Sequence, residues 1–136
     1  MKDSLIAITN NKIYQSPSYT LFVLSTEIKK IAIFTESHVG FFLQNQLQNK
    51  KEMRPKTHEL LETILTELDV KPIQLLIHDV KETVFFARLF LEQSKNDEKT
   101  ILEIDVRPSD GLIVALTKNL PIYCTKELLN KTRDVG

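Results

Sequence analysis

The chain has 136 residues, 42% hydrophobic and 26% charged, which is long enough to bury a core and typical of a globular domain. Its 18 basic and 18 acidic side chains balance, so no global field draws in nucleic acid, and any polyanion site has to be a local patch. The single cysteine excludes an internal disulfide framework. No apolar run has the makings of a leader or of a span of ~20 residues, so a reducing, cytoplasmic setting is expected.

From the N-terminus, Ser4 to Ile13 alternates weakly and reads as one strand. Ser16-Pro17-Ser18 turns the chain into a stronger strand over Ser18 to Ser25, and Lys30 to Thr35 makes a third, so three antiparallel strands follow one another. After Thr35, a suitable helix cap, the period changes. Val39, Phe42, Leu43 and Leu47 form a helical stripe that leaves Phe41 on the wet side. Asn49 to Lys56 is a polar connection with four cations. Thr57 then caps a second helix, in which Leu60, Leu61, Ile64, Leu65 and Leu68 share one face.

Ile73 to Val80 is a strand, Asp79 to Thr83 a tight turn, and Val84 to Leu91 the return strand. Both sides of that return strand are apolar, which predicts a central strand covered on both faces. A charged loop over Ser94 to Lys99 leads into Ile101 to Val106, read as a buried strand. Arg107-Pro108 breaks it, because proline lacks a donor and holds the preceding residue away from helical angles. Ser109 caps a third helix that is apolar from Leu112 to Leu116 and expected to be buried nearly all round; Lys118-Asn119-Leu120-Pro121 stops it. Ile122 to Cys124 is a short strand and Lys126 to Lys131 a terminal helical turn. The expectation is one α+β domain over residues 1–136, of order βββααβββαβα, with a mixed or antiparallel sheet and about three packed helices.

One pattern occurs twice. Arg54-Pro55-Lys56-Thr57 and Arg107-Pro108-Ser109 each set an arginine just ahead of a helix start, where free amides, dipole and guanidinium together receive phosphate. Groups able to move a proton or hold a metal follow: His58 and Glu59 in the first, Asp110 in the second. Asp105 and Asp110 flank the second corner and could hold Mg²⁺, while His58, which titrates near neutrality, could serve as general base or acid. Plainer roles fit the same spacing. Asp110 suits the helix dipole, Arg107 could be buried in a structural ion pair with Asp105 or Asp110, and the loop of Lys50, Lys51, Arg54 and Lys56 reads equally as a solvated connection. Zinc-ligand spacing, a phosphate-cradling glycine loop and a nucleophile elbow are all missing.

Arg54-Pro-Lys-Thr-His-Glu-Leu-Leu61, Val84-Phe-Phe-Ala-Arg-Leu89, Asp105-Val-Arg-Pro-Ser-Asp110 and Pro121-Ile-Tyr123 occur in the order and at the intervals of the bifunctional nuclease (BFN) domain family, which the chain resembles from about Leu21 to Leu129. The resemblance implies an α+β domain that self-associates, commonly as a dimer, and cleaves RNA or DNA. By position it assigns His58 and Glu59 to the family's Thr-His-acid step and Asp105, Arg107, Ser109 and Asp110 to its second block. Arg54, Lys56, Thr57 and Ser109 are then substrate-binding candidates. Two positions depart from the pattern. Val39-Gly40 stands where an acidic and a small residue are usual, with Glu36 as the substitute carboxylate beside Asp105 and Asp110 for a metal. Gly111 replaces the usual alanine, which should loosen its helix by up to ~1 kcal/mol. A nuclease is therefore the first expectation. The second is a non-catalytic oligomeric module that binds a phosphorylated ligand or a protein partner.

Overall fold

A computed structural model describes residues 5–48 and 57–136 as two β-sheets and four helices. The stretch expected to be one N-terminal strand is two: β1 (Leu5–Ala7) and β2 (Asn10–Gln15), in different sheets. The reason lies in two consecutive amides. Ile8 N–H donates to Ile122 O at 2.8 Å in the larger sheet, and Thr9 N–H donates to Ser25 O at 2.8 Å in the smaller one. The expected antiparallel trio is present as β2, β3 (Tyr19–Ser25) and β4 (Lys30–Glu36), in the order β2-β3-β4. Helix α1 (Ser37–Leu47) follows directly. Its N-cap is Glu36, not Thr35, and no side chain caps it.

Helix α2 (Thr57–Glu67) leads into β5 (Val70–Lys81), β6 (Val84–Lys95) and β7 (Glu98–Val106), an antiparallel run whose strands reach further than the sequence pattern showed. The β6–β7 turn is tight because Asn96 (φ 53°) and Asp97 (φ 64°) both take the left-handed region, as a two-residue hairpin with the right twist requires. Helix α3 (Pro108–Lys118) returns the chain to β8 (Ile122–Thr125), parallel to β5, and α4 (Lys126–Asn130) follows. The five-stranded order is β1-β8-β5-β6-β7.

Side chains from both sheets merge in one core: Phe22, Leu24, Ile31 and Ile33 from the small sheet, Leu75, Ile77, Ala87 and Leu91 from the large one, with Leu43, Leu112 and Leu128 from the helices. Cys124 is fully buried within it, and burial pushes its thiol from 9.0 up to about 11. The folded thiol is harder to ionise than the unfolded one, so stability is full below pH 9 and declines as the pH climbs toward 11. The native protein is expected to resist iodoacetamide at pH 8 and to alkylate only in denaturant, which mass spectrometry of treated samples checks.

Four expectations about burial need correction. β7 is an edge strand, with every residue from Glu98 to Asp105 exposed, because among the described residues nothing pairs beyond it and α3 packs over β5 and β6. β6 is central, between β5 and β7, but its second face is only partly covered: Ala87, Leu89 and Leu91 are buried, while on the other side Phe86 and Phe90 are half-buried and Val84 and Arg88 exposed. In α3 only Gly111, Leu112 and Ala115 are fully buried. In α2 the expected apolar face is turned outward; Leu60, Leu61, Ile64 and Leu68 are exposed and only Leu65 packs against the core. Gly111 has a packing reason as well. A Cβ there would stand 2.5 Å from Leu75 Cδ1 and 3.3 Å from Val106 Cγ2, so the close seat of α3 on the sheet offsets the lost helix propensity.

Candidate functional site

The expected corner between β7 and α3 exists, but its capping differs from the sequence reading. Arg107, in extended conformation, is the N-cap of α3, Pro108 occupies the first helical position, and Ser109 and Asp110 fall inside the first turn. Proline is suited to that place, having no amide to leave unpaired and a φ already near helical. The Ser109 and Asp110 amides have no partner within the helix and face the N-terminal approach.

Arg107 and Asp110 form a two-pronged pair, Nε to Oδ2 at 2.8 Å and Nη2 to Oδ1 at 3.2 Å. Their side chains are 70% and 53% exposed. The structural alternative of a buried ion pair is thereby overturned, and an exposed pair of this kind contributes little to stability. Its effect is orientation. Asp110 fixes the guanidinium plane and, through that hydrogen bond and its charge, with a smaller attraction from Glu36, holds the Arg107 pKa above its ordinary value. The remaining guanidinium N–H groups are left for another acceptor.

Asp105 lies at the end of β7, opposite Arg88 in the register, yet Arg88 donates instead to Glu103 at 3.1 Å. Among the described residues no hydrogen bond or ion pair holds the Asp105 carboxylate. Glu36 also reaches this place, as the extended residue before α1 and not as a member of its helical face. Val39, at the position where the family pattern has an acid, is buried in the core, and Gly40 backs onto Thr20.

Of these groups, Glu36, Asp105, Arg107 and Ser109 border one cleft of about 420 Å³. Phe34, Val84, Phe85 and Phe86 line one part; Glu36, Asp105, Arg107 and Ser109 line another. Phe34 is 64% and Val84 58% exposed. The aromatic lining was missed in the sequence, where Phe85 and Phe86 read as core strand residues and Phe34 as one more strand position. The other half of the expected site is described only in part. Arg54 and Lys56, with Lys50 and Lys51, lie outside the described residues, as does the His58 side chain. Thr57 opens α2 and is exposed. Glu59 borders a separate hollow of about 290 Å³ with Glu62, Thr63, Thr66 and Glu67.

The expected Mg²⁺ ligands Asp105, Asp110 and Glu36 do not form a set. Among the described residues no three of His, Cys, Asp and Glu stand together as metal ligands, and both Asp110 oxygens are engaged by Arg107. The residues in place thus do not fit a preformed ion site, which would need carboxylate oxygens converging on one point.

Compared with known proteins, the chain matches the bifunctional nuclease domain over residues 22–135. The chain belongs to the bifunctional nuclease domain family. Two curated relatives, uncharacterised proteins from two strains of Mycobacterium tuberculosis, are each 28% identical over 82 residues. That match takes in 60% of this chain and 46% of each relative, so this bifunctional nuclease domain spans less than half the length of the curated relatives it matches. Among the described residues no helix is long and apolar enough to cross a membrane.

Proposed function

We propose that this bifunctional nuclease domain hydrolyses phosphodiester bonds of RNA or DNA at the cleft between β4, β6 and the β7–α3 corner. The observation that carries the reading is the two-sided lining. A wall of exposed Phe34 and Val84 with half-buried Phe86 suits a nucleobase, and the oriented Arg107 with the open start of α3 suits the phosphate beside it. In this reading Arg107 binds a non-bridging phosphate oxygen and stabilises the charge that grows there in the transition state. Asp105, unpaired and a short step along the chain, accepts the proton of the attacking water. Ser109 donates to the phosphate, and Asp110 acts by holding Arg107. The protein works as a dimer in a reducing, cytoplasmic setting, which the lone Cys124 fits.

The test is hydrolysis of labelled single- and double-stranded RNA and DNA by the purified chain, with Mg²⁺ and with EDTA. Arg107→Gln is expected to lower turnover at least ~100-fold, the loss typical of removing one electrostatic donor from a reacting phosphate or carbonyl. The melting temperature should stay within about 2 °C, since the pair is exposed. Full activity in Arg107→Gln would remove the proposal, and the EDTA arm decides whether a divalent ion takes part. One observation favours a second reading, a non-catalytic site for a phosphorylated ligand: the carboxylates do not converge on an ion. It predicts saturable nucleotide binding without turnover in either condition.

A further inference from the structure

The residues bordering the cleft include two carboxylates, Glu36 and Asp105, against one cation, Arg107, whose charge Asp110 already shares. Lys81 reaches the aromatic side, its Nζ 5.7 Å from the Phe86 ring centroid, but among the described residues no cation pairs with Asp105. The adjoining strand offers a remedy. β7 runs nine residues, Glu98 to Val106, in unbroken register with β6, has no proline and no bulge, and among the described residues its other edge has no partner. Its Ile101, Leu102 and Ile104 are 54%, 37% and 43% exposed. Such an edge presents a row of unpaired backbone donors and acceptors to any strand that fits.

The sequence of β7 fits itself. Laid antiparallel on a second copy about Leu102, all nine residues pair: Leu102 with Leu102, Ile101 with Glu103, Thr100 with Ile104, Lys99 with Asp105, Glu98 with Val106. Opposite charges meet and no like charges face each other, the arrangement that stabilises cross-strand neighbours. Moving the centre to Glu103 opposes two glutamates; placing it halfway between Ile101 and Leu102 opposes Glu98 and Asp105. Residues of equal parity also share a face, so the continued sheet keeps one covered side and one open side.

We propose that β7 pairs with β7 of a second copy about a two-fold axis at Leu102, which sets the partner's Lys99 against Asp105 at the edge of the cleft. Lys99 is free to do so, with its side chain 71% exposed and only a 3.9 Å approach to Glu92. Each cleft then gains a cation beside Asp105, and the two sheets join into one of ten strands. The pairing names the surface of the dimer proposed above and stands whether or not the cleft cleaves phosphodiesters, because its test reads assembly and not turnover.

Sedimentation velocity of the full chain across micromolar concentrations is expected to show a reversible monomer–dimer equilibrium. Lys99→Asp and Asp105→Lys each place two like-charge pairs in the interface and should raise the dimer Kd at least about tenfold; combining them should restore it. Hydrogen exchange gives a second readout: β7 amides directed away from β6 should gain protection with concentration in the wild type and not in the single variants. A monomeric wild type, single variants with unchanged Kd, or a double variant that fails to recover would each overturn the proposal. An unchanged Kd would point to the exposed leucine face of α2 instead.

Discussion

Gly40→Ala is expected to cost about 3 kcal/mol and to lower the melting temperature by on the order of 10 °C. A Cβ at this position would stand 2.7 Å from Thr20 Oγ1 and 2.9 Å from Thr20 Cγ2, and would collide with the Gln15 amide. Gln15 lies at the surface and can swing away, but only by giving up its bonds to Ser16 O and Ser37 O, both 3.0 Å. Thr20 has no such escape. It is fully buried, its hydroxyl accepts from Gly40 N–H at 3.0 Å and donates to Gln15 Oε1 at 2.9 Å. The inserted methyl therefore strains the core and breaks a buried hydroxyl's partners together, which is why the loss exceeds that of overpacking alone. Thr20→Ser in the same chain removes Cγ2 and should recover part of the loss. Calorimetry of the two variants decides it; an alanine at position 40 that melts with the wild type would show that α1 sits further from β3 than described.

Phe22→Ala should be costlier still, about 4 kcal/mol, with a fall in melting temperature of roughly 10–15 °C. Phe22 is 0% exposed and lies mid-way along β3, between Ile13 of β2 and Ile33 of β4. Its removal deletes the largest side chain of the small-sheet core and leaves a cavity that the sheet backbone cannot close. A control stands one strand away. Phe34 on β4 is 64% exposed and makes an edge-on contact with Tyr19 at 5.3 Å, so Phe34→Ala should change stability little while weakening nucleotide binding in the cleft. Equal stability losses in urea titrations of the two variants would contradict the side assignment of the small sheet.

How much of this was readable beforehand depended on whether the signal was local. Pro108, and Asn119 followed by Leu120-Pro121, mark both ends of α3, and the structure puts Asn119 in the left-handed region at its C-cap (φ 56°). The β6–β7 hairpin and the antiparallel trio were equally plain, because turn residues and alternation act over a few positions. Exposure was not. Ile101-Leu-Glu-Ile-Asp-Val106 has the composition of an interior strand, and only the sheet order, which is set by distant residues, makes it an edge. For the same reason the corner carrying Asp105, Arg107, Ser109 and Asp110 was legible as a cluster, while its aromatic wall was not: Phe34 and Phe86 come from strands of different sheets. The split of the first strand escaped because Ile8 and Thr9 continue the alternation without a glycine or proline to mark the crossing.

That crossing makes the chain at residues 8 and 9 a hinge pin shared by both sheets. With neighbouring amides anchored 2.8 Å from Ile122 O on one side and from Ser25 O on the other, neither layer can slide or peel without pulling on the adjoining peptide unit that the other layer holds. Disruption that starts in the small sheet is passed through one covalent step to β8 and so to the parallel pair it forms with β5. The molecule is accordingly expected to melt in a single cooperative event, with calorimetric and van't Hoff enthalpies equal, and the cleft walls, one from each layer, to keep their spacing until it does.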